Sequence, residues 1–214
     1  MSVGANFVNH RPELNFFYQS LVCPSYQLVP TVLLHILNIY TEMASEQIKV
    51  GDIIPDVPLS YVPYDPKEEL KACTRPIAFK IHEQLKGKKA VIFAIPGPFT
   101  PTCSEQHVPG FIENADNLKS KGINYIICVS CVDGFIMNAF GKVIGSTDKV
   151  IMAGDGSAAF CNALGLTQDL TKGGMGIRSK RFAILVNDLV VEYVGVEAAP
   201  GTTVSGADAV LAKL

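Results

Sequence analysis

Residues 90 to 103 read AVIFAIPGPFTPTC, and the way this stretch can fold is narrowly limited. AVIFAIP is a continuous apolar run, the pattern of a strand buried on both faces. PGPFTPTC then packs three prolines, two threonines and a cysteine into eight residues. A turn after a strand needs about one proline. The surplus rigidity delivers a single thiol, Cys103, to the start of the next helix.

The rest of the chain sets this unit in a regular rhythm. Past Cys103 the apolar residues Val108, Phe111, Ile112, Ala115 and Leu118 recur at helical spacing, and Gly122 ends the helix. INYIICVS reads as a second strand and DGFIMNAFGKVIG as a second helix. KVIMAGD is a third strand, followed by the short helix SAAFCNALG. RFAILVN and LVVEYVGVE flank an Asn187-Asp188 corner, an antiparallel hairpin. VSGADAVLAKL closes as a helix. Before the first buried strand, VGDIIPDVPLSYVP is a proline-broken extended entry, and IAFKIHEQL reads as helical. A Rossmann domain would carry a glycine-rich phosphate loop where PGPFTPTC stands. The order βαβαβα–ββ–α predicts instead an α/β, thioredoxin-like fold with a central mixed sheet flanked by helices. That domain spans residues 43–214. Residues 1–42 lack the rhythm and read as an N-terminal extension, with Met43 resembling a natural start.

Composition excludes several function classes. A hydrophobic fraction of 48% with 18% charged residues suits a globular chain, and a net charge of -2 leaves no footprint for nucleic acid. No apolar run reaches the roughly 18 residues of a membrane helix; LVPTVLLHILNIY stops short and contains Pro30 and His35. A soluble protein is expected. The six cysteines (Cys23, Cys73, Cys103, Cys128, Cys131, Cys161) lack framework spacing, and no secretory signal precedes them. Zinc is not expected, because Cys128-x-x-Cys131 has no second pair and His10, His35, His82 and His107 are scattered. Strand alternation also sends Cys128 and Cys131 to opposite faces, which disfavours a dithiol CxxC centre.

The chemistry of the turn follows from its residues. Pro101 suits the first helical position, where an N–H would be unpaired anyway. Cys103 then meets unpaired N–H groups and the positive end of the helix, both of which favour thiolate. Thr100 can curl its hydroxyl toward the same point. A fully ionised cysteine gains only about 2 kcal/mol over an ordinary one at neutral pH, whereas catalysis requires far more. A cation must supply the remainder. Arg178 and Arg181 in GIRSKRFAILV are the candidates, and Arg181, abutting the strand, is the better anchored.

Pro96-x-x-x-Thr100-x-x-Cys103 resembles the active-site motif of the peroxiredoxins. PGPFTPTCSEQHVPGF together with RSKRFAILVND is similar to their peroxiredoxin-5-like branch, which includes fungal peroxisomal members. The likeness covers about residues 48–214. It implies a thiol peroxidase that reduces hydrogen peroxide and alkyl hydroperoxides, with a role in antioxidant defence, and that needs no metal or organic cofactor. Cys103 would be the peroxidatic thiolate that becomes a sulfenic acid. Thr100 would bind the peroxide, Arg181 would polarise the O–O bond, and Pro96 would shield the sulfenic acid. His107 matches a family position and is read as structural. Pro98, Phe140 and Val132 depart from the usual alanine, tryptophan and asparagine, which touches substrate preference and rate.

Three routes for resolving the sulfenic acid stay open. Cys73, thirty residues before Cys103, resembles the placement in fungal relatives that link two chains. Cys128, twenty-five residues after it, resembles the second cysteine of the plant branch. The third is a one-cysteine mechanism with an external thiol. Cys23, Cys131 and Cys161 are read as structural or incidental. The resemblance implies a homodimer reduced by thioredoxin, glutaredoxin or glutathione. Ala212-Lys213-Leu214 is a close variant of the Ser-Lys-Leu peroxisomal address, so peroxisome is expected, with cytoplasm the alternative. The competing function is a redox sensor that passes oxidation from Cys103 to a partner protein without turnover.

Overall fold

The computed structural model of the chain describes residues 46–69 and 71–214. The expectations for the extension at 1–42, for Met43, Cys23, His10 and His35 lie outside the described residues. Nine strands are present among them: β1 Leu59–Tyr61, β2 Ile77–Phe79, β3 Lys89–Ala94, β4 Tyr125–Ser130, β5 Ile151–Gly154, β6 Thr167–Asp169, β7 Ile177–Ser179, β8 Phe182–Asn187 and β9 Val190–Val196. The helices are α1 Ile81–Leu85, α2 Val108–Glu113, α3 Ala115–Ser120, α4 Gly134–Ile144, α5 Ala159–Ala163 and α6 Ala207–Leu211. A π-helical turn, Cys103–His107, precedes α2.

The main sheet has the order β2-β1-β5-β4-β3-β8-β9. β3, β4 and β5 are parallel, and β8 joins β3 antiparallel. This is the mixed thioredoxin-like sheet expected from the sequence. β3 is buried on both faces. Ala90, Ile92 and Ala94 enter one core with Ile127, Val129, Phe160 and Phe182, whereas Val91, Phe93 and Ile95 enter the other with Cys103, Phe111, Leu118 and Phe140. A fully buried side chain such as Phe93 contributes about 1.5–3 kcal/mol, so the two cores lock the C-terminal end of β3 in place under the proline-rich turn.

The local signals explain several boundaries. Asp133 caps α4 by accepting from the Ile136 N–H at 2.9 Å, and Gly145 closes it at φ 73°. The β8–β9 corner has Asp188 and Leu189 at φ 46° and 71°, the two positive values that match hairpin twist. Cys128 and Cys131 do fall into opposite cores.

Three elements differ from expectation. IAFKIHEQL is only half helical: Ile77–Phe79 pairs with Leu59–Tyr61 as a hairpin, leaving Ile77 and Ala78 exposed and burying Phe79. The helix after Cys103 is not continuous. Pro109 has no N–H to offer the preceding turn and its ring crowds the carbonyl four residues back. The chain widens there into a π turn, closed by the Val108 N–H on the Cys103 carbonyl, and breaks again at Asn114 (φ -91°, ψ 5°). The third is the small β6–β7 ribbon, Thr167–Asp169 against Ile177–Ser179, which no apolar alternation announces.

Candidate active site

Cys103 sits in the widened turn at the end of the β3 loop and is fully buried. Pro96 is separated from β3 by Ile95 alone. Its carbonyl accepts from Arg178 Nη1 at 3.3 Å, while Arg178 Nε donates to the Met175 carbonyl at 2.7 Å. Ser179 Oγ donates to the Ile95 carbonyl at 2.9 Å. Strand β7 of the β6–β7 ribbon is thereby stitched to the floor of the loop, two residues before Arg181.

Arg181 decides the geometry. Its Nη2 donates to Cys103 Sγ at 3.2 Å, and its Nη1 lies 3.0 Å from His107 Nδ1. A guanidinium has donors only, so Nδ1 must accept and the imidazole must be neutral with its proton on Nε2. That proton is donated to the Ser205 carbonyl at 2.8 Å. Both arginine bonds come from one planar fork, and the sulfur bond strengthens when sulfur is ionised.

Behind His107 the network continues to Glu197, at the end of β9. The Glu197 N–H donates to the Arg181 carbonyl at 2.9 Å. Its carboxylate accepts from the Val204 and Ser205 N–H groups, Ser205 Oγ and Thr203 Oγ1 at 2.8–2.9 Å. Burial alone would raise the Glu197 carboxyl, but these hydrogen bonds together hold it below the usual range. Gly195 is required nearby, since any Cβ there would collide with the Val204 carbonyl. Ser205 is thus clamped from one side and holds His107 from the other.

His107 is 1% exposed, edge-on to Phe93 at 5.1 Å. Burial, helped by the Arg181 charge and opposed by the Ser205 carbonyl, pushes it down to about 4. Because the folded state disfavours its proton, its contribution to stability is complete above the unfolded value of about 6.5 and is lost as pH falls toward 4. The shift corresponds to about 3 kcal/mol. Urea unfolding of the wild type between pH 7 and 4 is expected to show that loss, and His107→Asn to flatten it. An unchanged slope in the variant would place the titration elsewhere.

Thr100 differs in detail from expectation. Its hydroxyl donates to the Gly97 carbonyl at 2.9 Å, closing the loop on itself, so the oxygen faces other partners as an acceptor. Phe99, between Pro98 and Thr100, has φ 63° and is 59% exposed, with its ring centroid 5.0 Å from that of Phe140 in an edge-on arrangement. The Phe140 position therefore forms the wall behind the loop. Pro96, Thr102 and Arg181 line an open cleft of about 750 Å³ that also borders Gln168, Lys180 and Glu197. Cys103 does not itself line the cleft, and Arg181 links the two.

The other thiols occupy contrasting settings. Cys128, paired with Phe93 across β3–β4, is fully buried. Burial, followed by the charge of Cys103, pushes its thiol well up. Cys73 is half-buried in the loop between β1 and β2. That loop is tied to α4: Glu68 pairs with Lys142 at 2.9 Å and accepts the Thr74 N–H at 2.6 Å, and Lys142 donates to the Glu69 and Ala72 carbonyls. The Lys142 hydrogen bond and the Thr74 N–H hold the Glu68 carboxyl down to about 2. Of the four residues to which the sequence pointed, the structure brings Cys103 and Arg181 into contact and sets Pro96 beside Arg181 on the cleft, while the Thr100 hydroxyl is turned to the Gly97 carbonyl. The sequence missed Ser205 and Glu197, for which neither LVVEYVGVE nor GTTVSG carries a recognisable signal.

The Redoxin family model matches residues 49–211. The chain belongs to the peroxiredoxins. It is 44% identical to Peroxiredoxin-2B of Arabidopsis thaliana over 167 residues, 78% of this chain and 98% of the plant protein. A Lipomyces kononenkoae protein named "Putative peroxisomal peroxiredoxin" is 43% identical over 161 residues, 74% of this chain and 96% of its own. Among solved structures, reduced Prx3 of Vibrio vulnificus in complex with H2O2 superimposes with a TM-score of 0.69 at 40% identity, covering 78% of this chain and 98% of that one. The chain is accordingly a thiol-dependent peroxidase of the thioredoxin-like fold. The likeness favours turnover over the sensor alternative. Among the described residues no helix is long and apolar enough to cross a membrane.

Proposed function

We propose that this peroxiredoxin works through Cys103 as the peroxidatic thiolate, with Arg181, Thr100 and Pro96 completing the site. The carrying observation is the 3.2 Å bond from Arg181 Nη2 to Cys103 Sγ. A peroxide entering by the cleft meets the same guanidinium. The thiolate attacks one peroxide oxygen, the O–O bond breaks, and the second oxygen leaves as water or an alcohol after taking a proton. Arg181 stabilises the charge that develops on both oxygens. Thr100, its own proton held by Gly97, accepts from the peroxide O–H. Pro96 at the cleft wall limits the access of water to the sulfenic acid.

Cys73 is the resolving thiol in this reading, reacting across a homodimer, with thioredoxin, glutaredoxin or glutathione reducing the product. Its loop is accessible, whereas burial keeps Cys128 protonated. The exposure of Phe99 and Ile177, in the two segments that meet at Pro96 and Arg178, supports pairing of two chains near the active site. Peroxisomal import is supported by the Ala212-Lys213-Leu214 tail and by the name of the Lipomyces relative. The tail does not hang free: Leu214 packs against the core and Lys213 Nζ stands 5.6 Å over the Tyr193 ring, so a receptor must detach it. One equivalent of hydrogen peroxide on the reduced protein is expected to yield Cys103 linked to Cys73 of a second chain on non-reducing peptide mapping. A Cys103–Cys128 link within one chain would assign resolution to Cys128 instead, and sulfenic acid alone would mean an external thiol.

A further inference from the structure

We propose that Cys131 and Cys161 form a second, reversible disulfide, a two-electron redox centre separate from Cys103. Their sulfurs and the Asp155 carboxylate all lie within 4.8 Å of one another. The pair belongs to the core on the opposite side of the sheet from Cys103, so it serves neither peroxide binding nor resolution at that site.

The surroundings prepare the two thiols differently. Asp155, 5% exposed, accepts the Phe160 and Cys161 N–H groups at 3.1 and 2.9 Å, which seats the first turn of α5 and fixes the Cys161 side chain. The neighbouring Cys161 thiol, assisted by the Ser179 N–H and the Arg178 charge, lowers the Cys131 thiol against burial and the Asp155 charge, while the same neighbour together with burial raises that of Cys161. Cys131 is also the more accessible, 9% exposed against a fully buried Cys161. One thiol is thus poised as nucleophile and the other stands close beside it with its proton retained, the division of labour that a dithiol uses in forming a bridge.

Peroxide is the oxidant, and the step balances. The Cys131 thiolate attacks a peroxide oxygen, giving Cys131 sulfenic acid and one water after protonation. The Cys161 sulfur then attacks the sulfenic sulfur, forming S–S as S–O breaks, and its proton leaves with the hydroxyl as a second water. Two thiols are oxidised and one peroxide is reduced. A soft divalent cation could use the same three groups, but both Asp155 oxygens already accept backbone N–H groups and Arg178 supplies a positive charge nearby. The disulfide is therefore favoured.

The test uses the full chain carrying Cys73→Ser and Cys103→Ser, exposed to hydrogen peroxide, alkylated after denaturation and digested without reductant. The expected result is loss of two alkylatable thiols and a Cys131–Cys161 peptide lighter by two hydrogens, restored by dithiothreitol and absent when Cys131→Ser is added. Mapping of wild-type protein reads the same bridge if the double variant fails to fold. Alkylation of both thiols after peroxide would overturn the proposal, as would Cys131 sulfinic acid without a bridge. Stoichiometric zinc in the reduced protein that blocks oxidation would overturn it in favour of a metal centre. None of these results bears on peroxide turnover by Cys103, which is measured separately in wild type.

Discussion

Cys103→Ser is expected to lower steady-state peroxide consumption, with dithiothreitol or a dithiol protein as reductant, by about a thousandfold or more while leaving the fold intact. Removing a nucleophile outright has effects of that size or larger. Serine is nearly the same size, so the fully buried site gains no large cavity, and its oxygen can still accept from Arg181. What it lacks is a polarisable sulfur nucleophile. Turnover retained within tenfold, in a variant with unchanged near-ultraviolet dichroism, would mean that another thiol carries the chemistry. Cys73 would then be the first to examine, because the other remaining described cysteines are all buried.

Arg181→Met is expected to slow the oxidation of Cys103 by about a hundred- to a thousandfold, the range seen when one charge-stabilising donor is removed from a preorganised site. The second-order rate constant from stopped flow with hydrogen peroxide reads this directly. Arg181→Lys should recover little. The fork serves two acceptors at once, Cys103 Sγ at 3.2 Å and His107 Nδ1 at 3.0 Å, and an ammonium on a flexible stem does not reproduce that planar pair. His107 then loses its donor inside the core, so a stability loss of about 1–3 kcal/mol should accompany the change. A methionine variant that reacts within threefold of wild type would show that the guanidinium only supports structure.

These two residues sit in one chain of contacts: Cys103, Arg181, His107, Ser205 and Glu197. Each member fixes the next, and its far end is a clamped carboxylate rather than a second catalytic group. The neutral imidazole acts here as a spacer with a defined tautomer. It holds the guanidinium in the plane from which Nη2 meets sulfur. Acid breaks the arrangement at His107, whose protonation would turn the acceptor facing Arg181 into a donor.

Legibility in the sequence varied with range. Strands β3, β4, β5, β8 and β9 were readable because apolar runs and turn residues act locally, and α4 because Asp133 and Gly145 cap it. IAFKIHEQL misled, since a three-residue strand and a five-residue helix share too few positions for a period to show. The widening of the Cys103 turn was in plain view as Pro109, but its consequence needed the whole helix to be traced. Cys131 and Cys161 looked incidental because nothing in a strand end and a short helix announces that they meet.

The sequence by itself determined that a strand buried on both faces delivers one thiol through a proline-rich turn, and that a later arginine must serve it. These are properties of neighbouring residues: apolarity, fixed φ and an unpaired helix start. Only the tertiary structure decided that Arg181 divides its fork between the Cys103 sulfur and a neutral His107, and that Glu197 and Ser205 anchor that histidine. The contacts from Arg181 to Cys103 and from His107 to Ser205 join residues 78 and 98 positions apart. Such pairs are brought together by strand order and register, which place β8 beside β3 and β9 beside β8, and no local pattern encodes that distance.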